Sequence, residues 1–207
     1  MRRGALAAIA GVCSLALLAG MPAQAGADSP AQVYRDPNTG LLVYIADLSG
    51  RQPGEVRIGY TTQIYWFFNP LSPLEPAFGC AFVTPSFPHL NFCQEPVNGL
   101  LVQLGPGPND VRVLPSVPVL PGPNLIQGNK GNDKIQGGQS AEQIDTGKGK
   151  DEVNPGPGED EVNTGAANDK IDTKDGEKDT VNGGKGRDEA TVDKKDKVKN
   201  VEVVKRK

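Results

Sequence analysis

The chain has 207 residues, a formal net charge of −3 and a single histidine, His89. One histidine excludes zinc sites built from several histidines, and the sequence contains no GxSxG, HExxH or Walker motif. The lysines alternate with acidic residues instead of clustering, which argues against a nucleic-acid-binding surface. The sequence therefore predicts neither an enzyme nor a nucleic-acid-binding protein.

The amino terminus has the pattern of a secretory signal peptide. Arg2 and Arg3 precede an apolar run over residues 5–19, and the segment ends in Ala23-Gln24-Ala25. The run is too short for a membrane-spanning helix, and the final small residues are typical of a cleavage site. We therefore predict a signal peptide over residues 1–25, cleavage before Gly26 and an extracellular mature chain. Cleavage removes two positive charges and no acidic residue, which changes the net charge from −3 to −5.

Cleavage at this site leaves two of the three cysteines, Cys80 and Cys93. Two cysteines in an exported chain predict one disulfide, and their spacing is not that of a redox-active CxxC pair. Closing a loop of this length contributes about 3 kcal/mol in the chain-entropy model. We expect this disulfide to be structural.

Residues 26–123 form a β-rich segment that contains every aromatic residue, whereas every lysine lies at or after Lys130. Short apolar runs separated by turn residues predict strands, and no stretch after the signal peptide predicts a helix. The predicted strands cover residues 41–45, 55–60, 63–68, 80–83 and 100–104. The proline-rich residues 115–123 fit either a linker between two domains or bends of a solenoid, and we favour one continuous solenoid.

A nine-residue repeat follows, as GNKGNDKIQ, GGQSAEQID, TGKGKDEVN, PGPGEDEVN and TGAANDKID over residues 128–172. After a unit with one extra residue, TKDGEKDTVN, the repeat resumes as GGKGRDEAT. Position 6 is acidic, and position 8 is a branched apolar residue. In the first five units these positions are Asp133, Glu142, Asp151, Asp160 and Asp169, and Ile135, Ile144, Val153, Val162 and Ile171.

The spacing of glycine, acid and apolar residue matches the pattern GGxGxDxUx, and residues 124–204 resemble the hemolysin-type calcium-binding, or RTX, repeat. The resemblance implies an all-β fold, a parallel β-roll with two units per coil and calcium ions between stacked loops. It places Asp133, Asp151, Asp169 and Asp188 on one edge of the roll, and Glu142, Asp160 and Asp179 on the other. The implied calcium-site residues are Gly128, Gly131, Asp133, Gly147, Gly149, Asp151, Gly156, Gly158, Asp160, Asp169, Asp179, Gly183, Gly184, Gly186 and Asp188.

The loops depart from the family pattern to different degrees. Those ending at Asp133, Asp151, Asp160 and Asp188 keep most of their glycines and are predicted to be the better half-sites. The other three loops, which end at Glu142, Asp169 and Asp179, are ranked as weak, and the one before Asp179 has charged residues where glycines are expected.

Metal is needed because one buried Ile or Val per unit contributes only about 1.5–3 kcal/mol, whereas ordering each of nine residues costs about 1–2 kcal/mol. The sequence therefore predicts repeats that fold when they bind calcium.

The domain boundaries predicted are a signal peptide at 1–25, a β-rich segment at 26–123, calcium-binding repeats at 124–191 and a capping strand at 192–207. The β-rich segment also resembles the leader that precedes such repeats in secreted bacterial proteins. The predicted function is that of a non-enzymatic calcium-binding protein with a structural or binding role. An adhesin or ice- or surface-binding solenoid is an alternative, based on the outward-facing Asp145, Asn154, Asn163, Asp172 and Asn182. A divergent secreted hydrolase is a third hypothesis.

Overall fold

The computed structural model describes residues 31–46, 54–61, 64–68, 74–77, 80–82, 90–94 and 97–207. The predicted signal peptide and His89 lie outside the described residues. Within these ranges every regular element is a β-strand, which confirms the predicted all-β fold. The described part of the chain accordingly has no helix with the length and apolar character needed to cross a membrane.

The described strands form two sheets, one of nine strands and one of ten. The nine-stranded sheet contains, in chain order, β1 (Ala31–Arg35), β2 (Leu41–Ile45), β5 (Leu74–Ala77), β8 (Gly99–Gln103), β10 (Asn124–Lys130), β12 (Glu142–Lys148), β14 (Glu161–Asn163), β16 (Thr180–Asn182) and β18 (Lys197–Lys199). The ten-stranded sheet contains β3 (Gly54–Thr61), β4 (Ile64–Phe68), β6 (Cys80–Phe82), β7 (Leu90–Gln94), β9 (Asn109–Val113), β11 (Lys134–Gln136), β13 (Glu152–Asn154), β15 (Lys170–Asp172), β17 (Glu189–Val192) and β19 (Val203–Arg206).

Successive strands from β8 to β19 alternate between the two sheets, and each pairs in parallel with the strand two places along the chain. Ile135 in β11 lies beside Val153 in β13, which is one coil of 18 residues later. Val162 pairs with Val181 at a separation of 19 because of the extra residue in the intervening unit. The chain is thus a parallel β-roll with two nine-residue units per coil, as the family resemblance implied.

The apolar residue at position 8 of each unit points into the space between the sheets. Its exposed fraction is at most 3% from Ile126 to Ala190. This column joins the apolar residues of the amino-terminal strands in one core. The repeat region is therefore held by a core only one apolar residue wide on each sheet.

The two sheets continue without a break into the amino-terminal region. Strand β8 pairs in parallel with both β2 and β10, and β9 with both β3 and β11. Strand β2 is buried on both faces: Leu42 and Tyr44 face the main core, and Leu41, Val43 and Ile45 belong to a second cluster. The predicted strand at 41–45 agrees residue for residue with β2.

Antiparallel strands extend the ten-stranded sheet beyond β3, where β4 pairs with β3 and β7, and β6 pairs with β7. Cys80 in β6 and Cys93 in β7 are joined by a disulfide with a Cα–Cα distance of 4.2 Å. This confirms the predicted disulfide. Tyr44 stacks on Phe67 with ring centroids 6.4 Å apart, so aromatic packing supplies the wide core that the repeats lack.

At the carboxyl end each sheet closes with its own strand, β18 in one and β19 in the other. Two strands occupy the region where the sequence suggested a single capping strand, because a two-sheet roll exposes two edges at its end. Lys197, Lys199, Lys205 and Arg206 on these strands are exposed. Charged side chains on an edge strand oppose pairing with another chain.

Candidate metal centre

Position 4 of the repeat needs a backbone conformation that favours glycine. Four of the predicted calcium-site glycines at this position have φ between 120° and 151°. A Cβ on Gly149 would lie 1.6 Å from the carbonyl oxygen of Gly131, and one on Gly186 would lie 1.7 Å from that of Ala167. These loops stack with their backbones in contact. The four glycines are Gly131, Gly149, Gly158 and Gly186.

The other predicted glycines open the same loops. At position 2, φ lies between 89° and 96° in Gly147, Gly156 and Gly184. At position 1, a Cβ on Gly128 or Gly183 would come within 2.3 Å of a carbonyl oxygen of the neighbouring loop. Threonine replaces glycine at position 1 of three units, and in the first of them Thr146 Oγ1 donates to Thr164 O at 3.0 Å. A hydrogen bond between coils therefore offsets the loss of glycine there.

The acidic residues at position 6 form two stacked columns. The first ladder consists of Asp133, Asp151, Asp169 and Asp188, and the second ladder consists of Glu142, Asp160 and Asp179. All seven have exposed fractions of 0–4%. The structure thus brings together on two edges the residues that the family resemblance assigned to those edges.

One carboxylate oxygen of each aspartate in the ladders accepts a backbone hydrogen bond from the preceding coil. In the first ladder Asp133 N donates to Asp151 Oδ1 at 2.8 Å, and Asp151 N donates to Asp169 Oδ1 at 2.9 Å. In the second, Glu142 N donates to Asp160 Oδ1 at 2.7 Å. These bonds fix the carboxylates and leave the other oxygen available.

That second oxygen is buried in all seven ladder residues and has no hydrogen-bond partner in the described part of the chain. A buried ionised carboxylate with an unsatisfied oxygen is strongly destabilising unless a cation compensates it. Calcium prefers six to eight oxygen ligands, among them carboxylates and backbone carbonyls. The ladders therefore fit calcium, with the carboxylates as charged ligands and the glycine loops as the source of carbonyl oxygens.

Burial also shifts several ladder carboxyls toward the protonated form. It raises the pKa of Glu142 to about 8, helped by repulsion from Asp160. It raises the pKa of Asp160 and Asp179 to about 7, and that of Asp133 and Asp169 to about 6. Without a cation, the fold disfavours the charged state that metal binding requires.

Both ladders begin with an asparagine that sequence analysis did not assign to them. Asn109 heads the first ladder: its Nδ2 donates to Gly107 O at 2.6 Å, to Gly105 O at 3.2 Å and to Asp133 Oδ1 at 2.7 Å. Asn124 lies beside Glu142 in the strand register and heads the second. At Asn109 an amide thus binds the loop carbonyls of its own coil. The signal for Asn124 was its spacing of 18 residues before Glu142.

The carboxyl-terminal tail closes both ladders. Asp188 N donates to Glu202 Oε2 at 2.8 Å. Asp179 N donates to Asp196 Oδ1 at 3.1 Å, and the other oxygen of Asp196 accepts from Thr173 Oγ1 at 2.9 Å. Asp196 therefore has protein partners on both oxygens, unlike the ladder residues that precede it.

Asp175, in the loop ranked as weak, was not predicted to be a site residue. One carboxylate oxygen from each of Asp160, Asp175 and Asp179 lies within 4.8 Å of the other two. The ranking counted glycines and took no account of an acid at position 3. The only signal in the sequence was that acid, since position 3 is not acidic in any of the other units.

Comparison with known families is consistent with this geometry. Residues 120–153 and 156–190 match the RTX calcium-binding nonapeptide repeat, in four copies. No curated protein and no solved structure matched the chain. Residues 120–190 therefore carry RTX calcium-binding nonapeptide repeats, as the resemblance in the sequence indicated.

Proposed function

We propose that the chain is exported, that its repeat region folds by binding calcium outside the cytoplasm, and that it acts as a structural or binding protein rather than as an enzyme. The observation that carries the proposal is the set of seven buried carboxylate oxygens without a partner among the described residues. In the unfolded chain water hydrates these oxygens, whereas in the roll a cation must replace that water. Calcium bound only by the folded state stabilises it by mass action.

Two features support export. Residues 1–25 have the signal-peptide pattern, the chain forms a disulfide, and disulfides persist in oxidising compartments. Extracellular calcium sites have dissociation constants of about 10⁻⁴–10⁻³ M, so modest sites suffice there. The expected mature protein starts at Gly26 with Cys80 bonded to Cys93. Intact-mass measurement on exported material checks this, and two free thiols or an uncleaved amino terminus would contradict it.

The surface-binding alternative receives less support from the outward-facing polar residues. They divide between the two sheets, with Asn163 and Asn182 on one and Asn154 and Asp172 on the other. Asn182 Nδ2 donates to Asn163 Oδ1 at 2.8 Å, and Asn200 Nδ2 donates to Asn182 Oδ1 at 2.8 Å. These amides bind each other along the nine-stranded sheet. They therefore stabilise that sheet instead of offering free groups to a partner.

A calcium titration of the mature chain followed by far-ultraviolet circular dichroism tests the proposed function. We expect β-structure to increase with calcium, and magnesium to be a poor substitute because it requires octahedral geometry and retains water. A spectrum that is unchanged between excess chelator and millimolar-range calcium would contradict the proposal. A screen of the same protein against esterase, protease and glycosidase substrates tests the non-enzymatic part, and activity with any of them would contradict it.

A further inference from the structure

The loop over residues 173–178 differs from every other loop of the second ladder. It has one extra residue, and four of its six residues are charged: Lys174, Asp175, Glu177 and Lys178. Position 3 of this loop is Asp175. In the other units the position-3 residues are Lys130, Gln139, Lys148, Pro157, Ala166 and Lys185.

Asp175 lies where the second ladder has two unsatisfied oxygens. Asp160 and Asp179 are 3% and 0% exposed, and each retains a buried Oδ2 without a partner among the described residues. One carboxylate oxygen of Asp175 comes within 4.8 Å of one from each of them. Asp175 thus adds a third negative charge to a pair that already needs a cation.

The position of Asp175 is fixed by the last coil. Its backbone N donates to Asp193 Oδ2 at 3.0 Å, and the N of Gly176 donates to the same oxygen at 2.6 Å. Asp175 Oδ1 accepts from Glu177 N at 2.7 Å, which leaves its other oxygen for a ligand. The tail therefore orders the loop that presents this carboxylate.

We infer that Asp175 is a third carboxylate ligand of a calcium ion held between Asp160 and Asp179, and that this site is the tightest in the array. The inference rests on the proposed calcium-dependent folding and names the site that fills first. Ligand charge count is a main determinant of calcium affinity, and other loops contribute no position-3 acid. A loop with a single glycine, Gly176, then holds the strongest site, which reverses the ranking based on glycine content.

The nearby charges identify a matched control. Glu177 lies in the same loop, is exposed as Asp175 is, and belongs to no group of three ligand oxygens in the described structure. Asp175→Asn and Glu177→Gln remove the same charge from the same loop, but only the first removes a ligand of the site. Asn at 175 retains the oxygen that accepts from Glu177 N, so the loop keeps that hydrogen bond.

Calorimetric calcium titration of the mature full-length protein and both variants tests the inference. We expect Asp175→Asn to weaken the tightest class of sites by about tenfold or more, and Glu177→Gln to weaken it by less than about threefold. Circular dichroism at saturating calcium should be the same for all three proteins. Equal affinities in the two variants would overturn the inference while leaving calcium-dependent folding intact, whereas a wild-type protein without calcium binding would overturn both.

Europium luminescence gives a readout that does not depend on affinity. With one equivalent of europium, decay lifetimes in H₂O and D₂O report the number of water molecules on the bound ion. We expect Asp175→Asn to add bound water relative to the wild type and Glu177→Gln to leave the number unchanged. Unchanged hydration in Asp175→Asn would contradict direct ligation by Asp175.

Discussion

At the scale of single residues, Ala167 departs most clearly from the geometry that its neighbours share. It occupies position 4 of its unit with a φ of 106°, where Gly131, Gly149 and Gly186 occupy the same place in stacked coils. A non-glycine residue in this conformation costs about 1–3 kcal/mol. The roll tolerates the strain because the Ala167 backbone still bonds to the next coil, with its N donating to Lys185 O at 2.8 Å.

We predict that Ala167→Gly stabilises the calcium-bound fold by about 1 kcal/mol, because relief of strain exceeds the added entropy of the unfolded chain. The matched control is Ala141→Gly in a neighbouring loop, where φ is not positive and glycine should destabilise slightly. Chemical denaturation at fixed calcium concentration measures both changes. A destabilised Ala167→Gly protein would show that the strained conformation is not the one adopted in solution.

The ladder carboxyls predict a pH dependence with a definite sign. Burial raises the pKa of Glu142 to about 8 and that of Asp160 and Asp179 to about 7, against about 4 in the unfolded chain. The calcium-free fold then binds more protons than the unfolded chain, so its free energy of unfolding falls as pH rises between about 4 and 8. The stabilisation from protonation is complete below this window and lost above it.

We therefore expect calcium-stripped protein to gain β-structure when the pH is lowered from 8 to 5. Over the same range calcium affinity should rise with pH, because the ion must displace protons from the ladders. Circular dichroism of the stripped protein and calcium titrations in two buffers of different ionisation enthalpy measure the two effects. Stripped protein that is equally unfolded at both pH values, or calcium binding without proton release, would contradict the burial of these groups.

At the scale of the loop, close stacking imposes a stricter requirement than backbone conformation alone. Gly149 and Gly176 both have positive φ, 135° and 96°. A Cβ on Gly149 would lie 1.6 Å from the carbonyl oxygen of Gly131, whereas a Cβ on Gly176 has nothing within 4 Å. Alanine at either position strains the backbone, but only at Gly149 must the coils also separate.

We predict that Gly176→Ala costs about 1–2 kcal/mol and that Gly149→Ala costs about 3 kcal/mol or more. The difference should appear as a larger increase in the calcium midpoint for Gly149→Ala, measured on both variants in one buffer. Equal midpoints would indicate that the loops do not stack at the distance seen in the structure.

The same elements show what the sequence could and could not predict. Strands β11 to β16 were predictable because Ile or Val must recur every nine residues for both sheets to bury one column. A continuous solenoid through β8 and β9 was also predicted, but its register was not, because Val102 pairs with Ile126 and Val111 with Ile135 across 24 residues instead of 18. Asn109 and Asp175 were missed for another reason: their roles depend on which oxygen atoms lie nearby, and repeat spacing does not report this.

At the scale of the whole molecule, the polar groups of the loops have protein partners at the two ends of the roll but not in its middle. Toward the amino terminus the Asn109 amide binds loop carbonyls, and a wide aromatic core and a disulfide support the sheets. Toward the carboxyl terminus Arg206 Nη1 donates to Asp193 O at 2.8 Å, so a positively charged side chain binds a carbonyl oxygen of the last loop. Between them the ladders retain their unpartnered oxygens. Calcium dependence should therefore be concentrated in residues 128–190.

The sheets also give the repeats a template. Strands β10 and β11 add directly to β8 and β9, whose residues need no metal. Without calcium the repeats gain too little from one buried residue per unit to offset about 1–2 kcal/mol of backbone entropy per residue. The amino-terminal sheets should then persist as a folded platform that ends near the first calcium loop.

Amide hydrogen exchange of the mature full-length protein, read by mass spectrometry with and without calcium, tests this account most directly. We predict that peptides covering β2 and β8 are protected in both conditions, and that peptides covering β11 to β16 are protected only with calcium. Magnesium at the same concentration should leave the repeats exchanging as they do in chelator. Equal protection of the repeats in chelator and in calcium would contradict calcium-dependent folding.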